Sequence, residues 1–196
     1  MKKSILVTPI LFLIAAAAAL PAMAQSRENY TGTIVSYGFG RNTRTTTNTF
    51  SLIINGTTSD DDADRQLAVL QEGGQDDLLN NIRKNDLGSF SVGSRLGRTL
   101  NSVRVDTVDG KKRIRAIFER WINISEIRGG YRSRDYPFGY VELFIDPATG
   151  KGEGTLIEAA QIRWKRDKKL NEYVVEIESF ATYPSRLMGV TQRNRR

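Results

Sequence analysis

The chain of 196 residues contains no histidine and no cysteine. Without histidine it lacks the usual general base at neutral pH, every Ser-His or Cys-His nucleophile, and any zinc or copper site built on imidazole. Without cysteine it has no disulfide, so stability must come from a packed core alone. Catalysis, if present, must rest on carboxylates, lysine, tyrosine, arginine or an unusual serine. Paired carboxylates would suffice for glycoside hydrolysis. Nothing in the composition points to a cofactor.

The N-terminus suggests an address. Met1-Lys2-Lys3 is a short basic region, Ile5 to Leu20 is apolar, and Ala22-Met23-Ala24 has the small-x-small pattern of a signal-peptidase site. The expectation is a signal peptide over residues 1–24 and an exported mature chain, periplasmic or extracellular, with no transmembrane segment of its own. The formal net charge is +7, and Lys2 and Lys3 of that excess belong to the leader. An exported protein does not meet cytoplasmic nucleic acid. An anionic envelope polymer or a small ligand is the more natural partner.

The mature sequence reads mostly as strand. "NYTGTIVSYG", "FSLIING" and "GSFSVG" are rich in β-formers and close on glycine. The clearest hairpin is "NSVRVDTVDGKKRIRAIFERW", in which apolar and charged residues alternate on both sides of the favoured turn Asp109-Gly110. In "YVELFI", Val141, Leu143 and Ile145 share one face. "TLIEAAQIRWK" and "YVVEIESFATY" alternate in the same way. About eight antiparallel strands with one apolar face predict a mainly β fold, closed as a barrel or strongly curved sheet. A two-helix insertion falls near residues 59–86. The expected organisation is a single β-rich domain over 25–186, followed by a basic flexible tail over 187–196.

The insertion opens on "TTSDDDADRQLAVLQEGG". Asp60, Asp62 and Asp64 have the opening spacing of an EF-hand loop. The sixth position, which demands glycine, is Arg65, and the twelfth, which demands glutamate, is Gln71. The stretch reads instead as a helix start: Ser59 is the N-cap, Asp62 its capping-box partner, and the aspartates oppose the helix dipole. Gly73-Gly74 breaks the helix and Gln75 begins a second. No metal site is expected.

The segments "TSDDDADRQLAVLQEGGQDDLLNNI" and "YPFGYVELFIDPATGKGEGTLIEAAQIRW" are similar to a family of exported bacterial proteins with no assigned activity. The resemblance spans about Tyr30 to Val190 and implies one compact domain, with no activity, cofactor or catalytic residue.

Candidate binding residues gather in "RGGYRSRDYPFGY", where Arg128, Arg132 and Arg134 interleave with Tyr131, Tyr136 and Phe138. Glycine hinges, guanidinium groups and aromatic faces can together hold a phosphate, carboxylate, nucleobase or sugar. The same residues would equally serve as an ordinary long connection covering the barrel end. Basic clusters at Lys111–Arg115 and Arg163–Lys169 could share one rim and attract a polyanion. Glu119, Glu142, Glu158, Glu176 and Glu178 are the acid-base candidates. The sequence therefore predicts an exported barrel-like domain that binds a ligand or envelope component. The alternatives are a carboxylate- or Tyr/Arg-based enzyme in the barrel mouth and a structural envelope protein.

Overall fold

The structure, a computed structural model, describes residues 27–37, 44–122, 124–130, 132–167, 172–180 and 183–193, with the backbone alone for Ser125, Arg132 and Asp167. Among the described residues there are nine strands: β1 (Glu28–Ser36), β2 (Thr46–Ile54), β3 (Gly88–Val92), β4 (Arg98–Val108), β5 (Lys111–Glu119), β6 (Phe138–Ile145), β7 (Lys151–Asp167), β8 (Glu172–Ser179) and β9 (Ser185–Gln192). Helix α1 (Asp60–Ile82) joins β2 to β3. A short helix α2 (Ile124–Gly129) and a 3-10 turn (Arg132–Asp135) lie between β5 and β6.

All strand pairings are antiparallel. Around the ring the order is β1-β2-β3-β4-β5-β6-β7-β9, with β9 returning to β1, so the sheet closes into an eight-stranded barrel. The ninth strand, β8, lies outside the ring. It pairs with the upper half of β7, from Ala160↔Ser179 to Asp167↔Glu172, and forms a ribbon that projects beyond the barrel.

Two expectations from sequence are corrected here. The strand count anticipated β8 as a barrel member, but β9 fills that place. The segment read as a flexible tail from residue 187 is paired as far as Gln192, with β1 on one side and β7 on the other.

The barrel interior is filled by side chains. Tyr30 and Ile34 of β1, Phe50, Leu52 and Ile54 of β2, and Phe90 of β3 meet Ile114 and Phe118 of β5. Leu100 and Val103 of β4, Ala116 of β5, Val141, Leu143 and Ile145 of β6, Leu156 of β7, and Leu187 and Val190 of β9 complete the cluster. Aromatic rings form its centre: Phe90 lies 5.3 Å from Phe118 and 6.0 Å from Phe50, centroid to centroid. Such tilted pairs add about 0.5–1.5 kcal/mol each beyond their buried area. The alternation seen in "YVELFI" has its cause here, since its apolar face points into the barrel and Tyr140 and Glu142 point out.

Helix α1 covers the outside of the barrel rather than plugging it. Leu70, Leu78 and Ile82 pack on Phe138, Tyr140, Ala160 and Ile162. The expected break is present at Gly74, whose φ of 77° and ψ of −163° interrupt the helical backbone. Ser59 caps the helix: its hydroxyl oxygen accepts from the Asp62 amide at 3.1 Å, and its hydroxyl donates to the Asp62 carboxylate at 2.6 Å. Asp62 also pairs with Arg65, and Asp60 with Arg104 at 2.7 Å. The Ser59 hydrogen bond, followed by Arg65, holds the Asp62 carboxyl below its ordinary value. Two of the aspartates that resembled a cation loop are thus occupied by capping and by arginine.

Candidate functional site

The side-chain filling stops short at one end of the barrel. There β1, β5 and the barrel part of β7 finish, and β4, β6 and β9 begin, leaving a cleft of about 410 Å³. Its lining comes from segments far apart in sequence. Ser36 and Tyr37 follow from β1, Arg95 from the β3–β4 turn, and Arg120 and Trp121 from the end of β5. Glu126 and Ser133 come from the β5–β6 connection, Leu156 to Ala159 from β7, and Phe180, Tyr183 and Ser185 from the β8–β9 connection. Tyr37 and Tyr183 are exposed at the rim. Ser36 and Ser185 share a hydroxyl–hydroxyl bond of 2.8 Å, which ties β1 to β9 at the opening.

A buried ion pair builds one wall. Arg120 is only 5% exposed. Its guanidinium donates to the Glu126 carboxylate at 2.7 Å and to the carbonyls of Tyr136, Ser133 and Trp121 at 2.7, 2.9 and 3.1 Å. Ser133 donates its hydroxyl to the same Glu126 oxygen at 2.7 Å. An arginine out of water is tolerable because its donors meet carbonyls and a carboxylate in this way. The network straps the connection between β5 and β6 across the rim. The sequence offered no motif for Arg120, which simply follows a strand.

Trp121 forms part of the lining from below. Its indole N–H donates to the Leu96 carbonyl at 3.0 Å, and Arg98 lies 5.7 Å from its ring. Strand β7 carries a bulge at the cleft. Tyr140 pairs with Ile157 and Phe138 with Ala160, so three steps on β7 oppose two on β6. A bulge re-aims side chains locally, and Glu158 sits within this one, lining the cleft.

The residues singled out in "RGGYRSRDYPFGY" do not converge on this cleft. Phe138 is fully buried under α1. Tyr136 is buried as well, its ring edge-on to Phe180 at 5.1 Å and its hydroxyl donating to Glu178 at 3.0 Å. Neither presents a free face to a ligand. Arg128 and Arg134 are exposed and do not line the cleft. Tyr131 and the side chain of Arg132 lie outside the described residues. The segment's place in the site is through Ser133 instead, and through the carbonyl of Tyr136.

The acid-base candidates are dispersed too. Glu119 pairs with Arg83, Glu176 with Lys165, and Glu178 with Arg163. Glu142 faces outward beside Tyr140, whose phenol is pushed up by burial and then by that carboxylate. Of the five, Glu158 alone reaches the cleft. The basic clusters also lie apart. Lys111–Arg115 begins β5 at the far end of the barrel, whereas Arg163–Arg166 lies on the ribbon beyond the cleft, so they share no rim. Lys168 and Lys169 are outside the described residues. Among the described residues, no group of three or more acidic side chains is placed to hold a metal ion, and no helix is long and apolar enough to cross a membrane.

Comparison with known proteins gives no relative: no family model matches the chain, and no curated protein or solved structure matches it.

Proposed function

We propose that this chain is an exported binding domain whose ligand site is the open end of the barrel. One observation carries the reading: among the described residues, a packed core lies inside the ring, and at this end a cleft of about 410 Å³ is lined by aromatic, hydroxyl and charged groups from separate segments. A volume in this range suits a small molecule or a short stretch of polymer. Trp121, Phe180 and Tyr183 offer flat apolar surface, and Arg95, Glu158 and the serines offer hydrogen-bonding groups at the same opening. Binding rather than hydrolysis is favoured because Glu126, the other carboxylate lining the cleft, is held by Arg120 and Ser133.

The test is a thermal-shift screen of amino acids, short peptides, saccharides and anionic envelope polymers against the intact chain, since a native-state ligand raises the unfolding midpoint. A hit at the mouth loses its shift in Tyr183→Ala while the unliganded midpoint stays in place, because Tyr183 is 76% exposed. A hit indifferent to Tyr183→Ala and Arg95→Gln, or a panel without hits, overturns the assignment.

A further inference from the structure

The charges at the mouth fall into two sets. Arg120 and Glu126 neutralise each other, the guanidinium held by surrounding carbonyls and the carboxylate by the Ser133 hydroxyl. Arg95 and Glu158 differ: neither side chain has a hydrogen-bond or ion-pair partner among the described residues, although both line the cleft. Glu158 stands out among the strand carboxylates considered above. Glu119, Glu176 and Glu178 each pair with a basic residue, and Glu142 bonds Tyr140.

Their placement is set by the topology. Arg95 follows β3 and Glu158 belongs to β7, and these strands lie opposite each other in the ring. Two side-chain charges of opposite sign, both exposed, thus line the opening from opposite sides of the ring, with Trp121, Phe180 and Tyr183 also lining it. Such a field gives little net attraction to a simple ion, whose gain at one wall is opposed at the other. It orients a ligand that carries both signs. The β7 segment 157–159 adds a second feature. On that side of β7 the pairing with β9 ends at Leu156 and the pairing with β8 begins at Ala160, so these residues belong to neither ladder there. Phe180 N–H donates to the Ala159 carbonyl across the gap at 2.9 Å. The Ala159 carbonyl is therefore taken, and another main chain would have only the rest of the segment to pair with.

We propose that the mouth takes a short peptide with free ends, its carboxylate set against Arg95, its amino group against Glu158, and its side chains against the aromatic lining. This rests on the mouth being the binding site. The cleft exceeds what a single amino acid fills, and the strand segment suits a peptide backbone better than a sugar.

Calorimetric titration of the intact chain with the tripeptide Ala-Leu-Ala tests it. The peptide is used free, N-acetylated, C-amidated and doubly capped, against the parent protein, Arg95→Gln and Glu158→Gln. A charge-assisted hydrogen bond is worth about 1.5–3 kcal/mol, so each cap should weaken binding about tenfold or more. The acetyl penalty should vanish in Glu158→Gln and the amide penalty in Arg95→Gln. Equal binding of free and doubly capped peptide overturns the proposal. If no form binds, but a neutral saccharide or an apolar dye does so in a Tyr183-dependent way, the peptide class is wrong and the site stands. If none of these probes binds, both readings fall.

Discussion

Asn101 and Asn85 hydrogen-bond each other in both directions. The side-chain amide of each donates to the backbone carbonyl of the other, both at 3.1 Å. Asn101 is the extra residue of a bulge in β4, where Leu100 pairs with Phe118 and Ser102 with Ile117. Its amide also donates to the Arg83 carbonyl, and its side-chain oxygen accepts from the Glu119 amide at 3.1 Å. One buried side chain therefore fastens the end of α1 to the barrel wall. Asn101→Ala leaves several partly buried partners unsatisfied, and each such group costs about 1–3 kcal/mol when fully buried. Urea unfolding should show a loss of at least about 2 kcal/mol, with faster amide exchange at the C-terminal turn of α1. A variant within experimental error of the parent would show that the tether is idle.

The Arg120–Glu126 pair should behave as a buried pair does. Removing one member strands the other charge, which costs about 3–5 kcal/mol. Arg120→Met is expected to fall in that range. The double variant Arg120→Met/Glu126→Leu should be less destabilised than Arg120→Met, because no lone charge remains. If the double variant loses the sum of the two single losses, the two residues are uncoupled.

Asp106 gives the protein an acid limb with a defined origin. Its carboxyl lies below the ordinary value chiefly because Arg113 hydrogen-bonds it, with Arg115 adding attraction. A depressed carboxyl stabilises the fold above its unfolded value of about 4 and loses that contribution as pH falls through its lower folded value. The stability difference between the parent and Asp106→Asn should therefore be present at neutral pH and shrink below about pH 4. A difference that persists undiminished at pH 2.5 would assign the effect to packing instead.

Two glycines should resist substitution for opposite reasons. At Gly74 a Cβ would meet nothing within 4 Å, yet the backbone has φ 77° and ψ −163°. Gly74→Ala is costly through strain alone, about 1–3 kcal/mol. At Gly139 a Cβ would lie 2.2 Å from the Phe118 ring. Gly139→Ala is costly through overpacking, about 1–3 kcal/mol. Shrinking the ring in Gly139→Ala/Phe118→Leu should recover part of that loss. No comparable trimming should rescue Gly74→Ala, and a rescue there would contradict the strain account.

The barrel was legible where pairing is regular. The hairpin around Asp109-Gly110 and the strand "YVELFI" alternate without interruption, and both formed as read. Strand β9 escaped because its pattern is broken. Its inward residues Leu187 and Val190 are three apart, with register shifts against both β1 and β7 and a positive φ at Gly189. A two-residue period cannot be read through that step. The helix start at Ser59 was legible because capping is local chemistry. The mouth was not, because Ser36, Arg95, Arg120, Glu158 and Tyr183 meet only once the ring has closed. The aromatic-rich loop drew attention by composition, whereas folding placed Tyr136 and Phe138 in the packing beneath.

Strand β7 runs 17 residues, from Lys151 to Asp167, along three different partners. Its lower half is a stave of the barrel and its upper half is the spine of the ribbon, with the cleft at the changeover. The ribbon is thus no independent arm: it continues a barrel strand, and α1 packs on its Ala160 and Ile162. A molecule wedged in the cleft would sit at that changeover, against the one strand common to both. Barrel wall, cleft and the ribbon that bears the Trp164–Tyr173 stack therefore share a single strand.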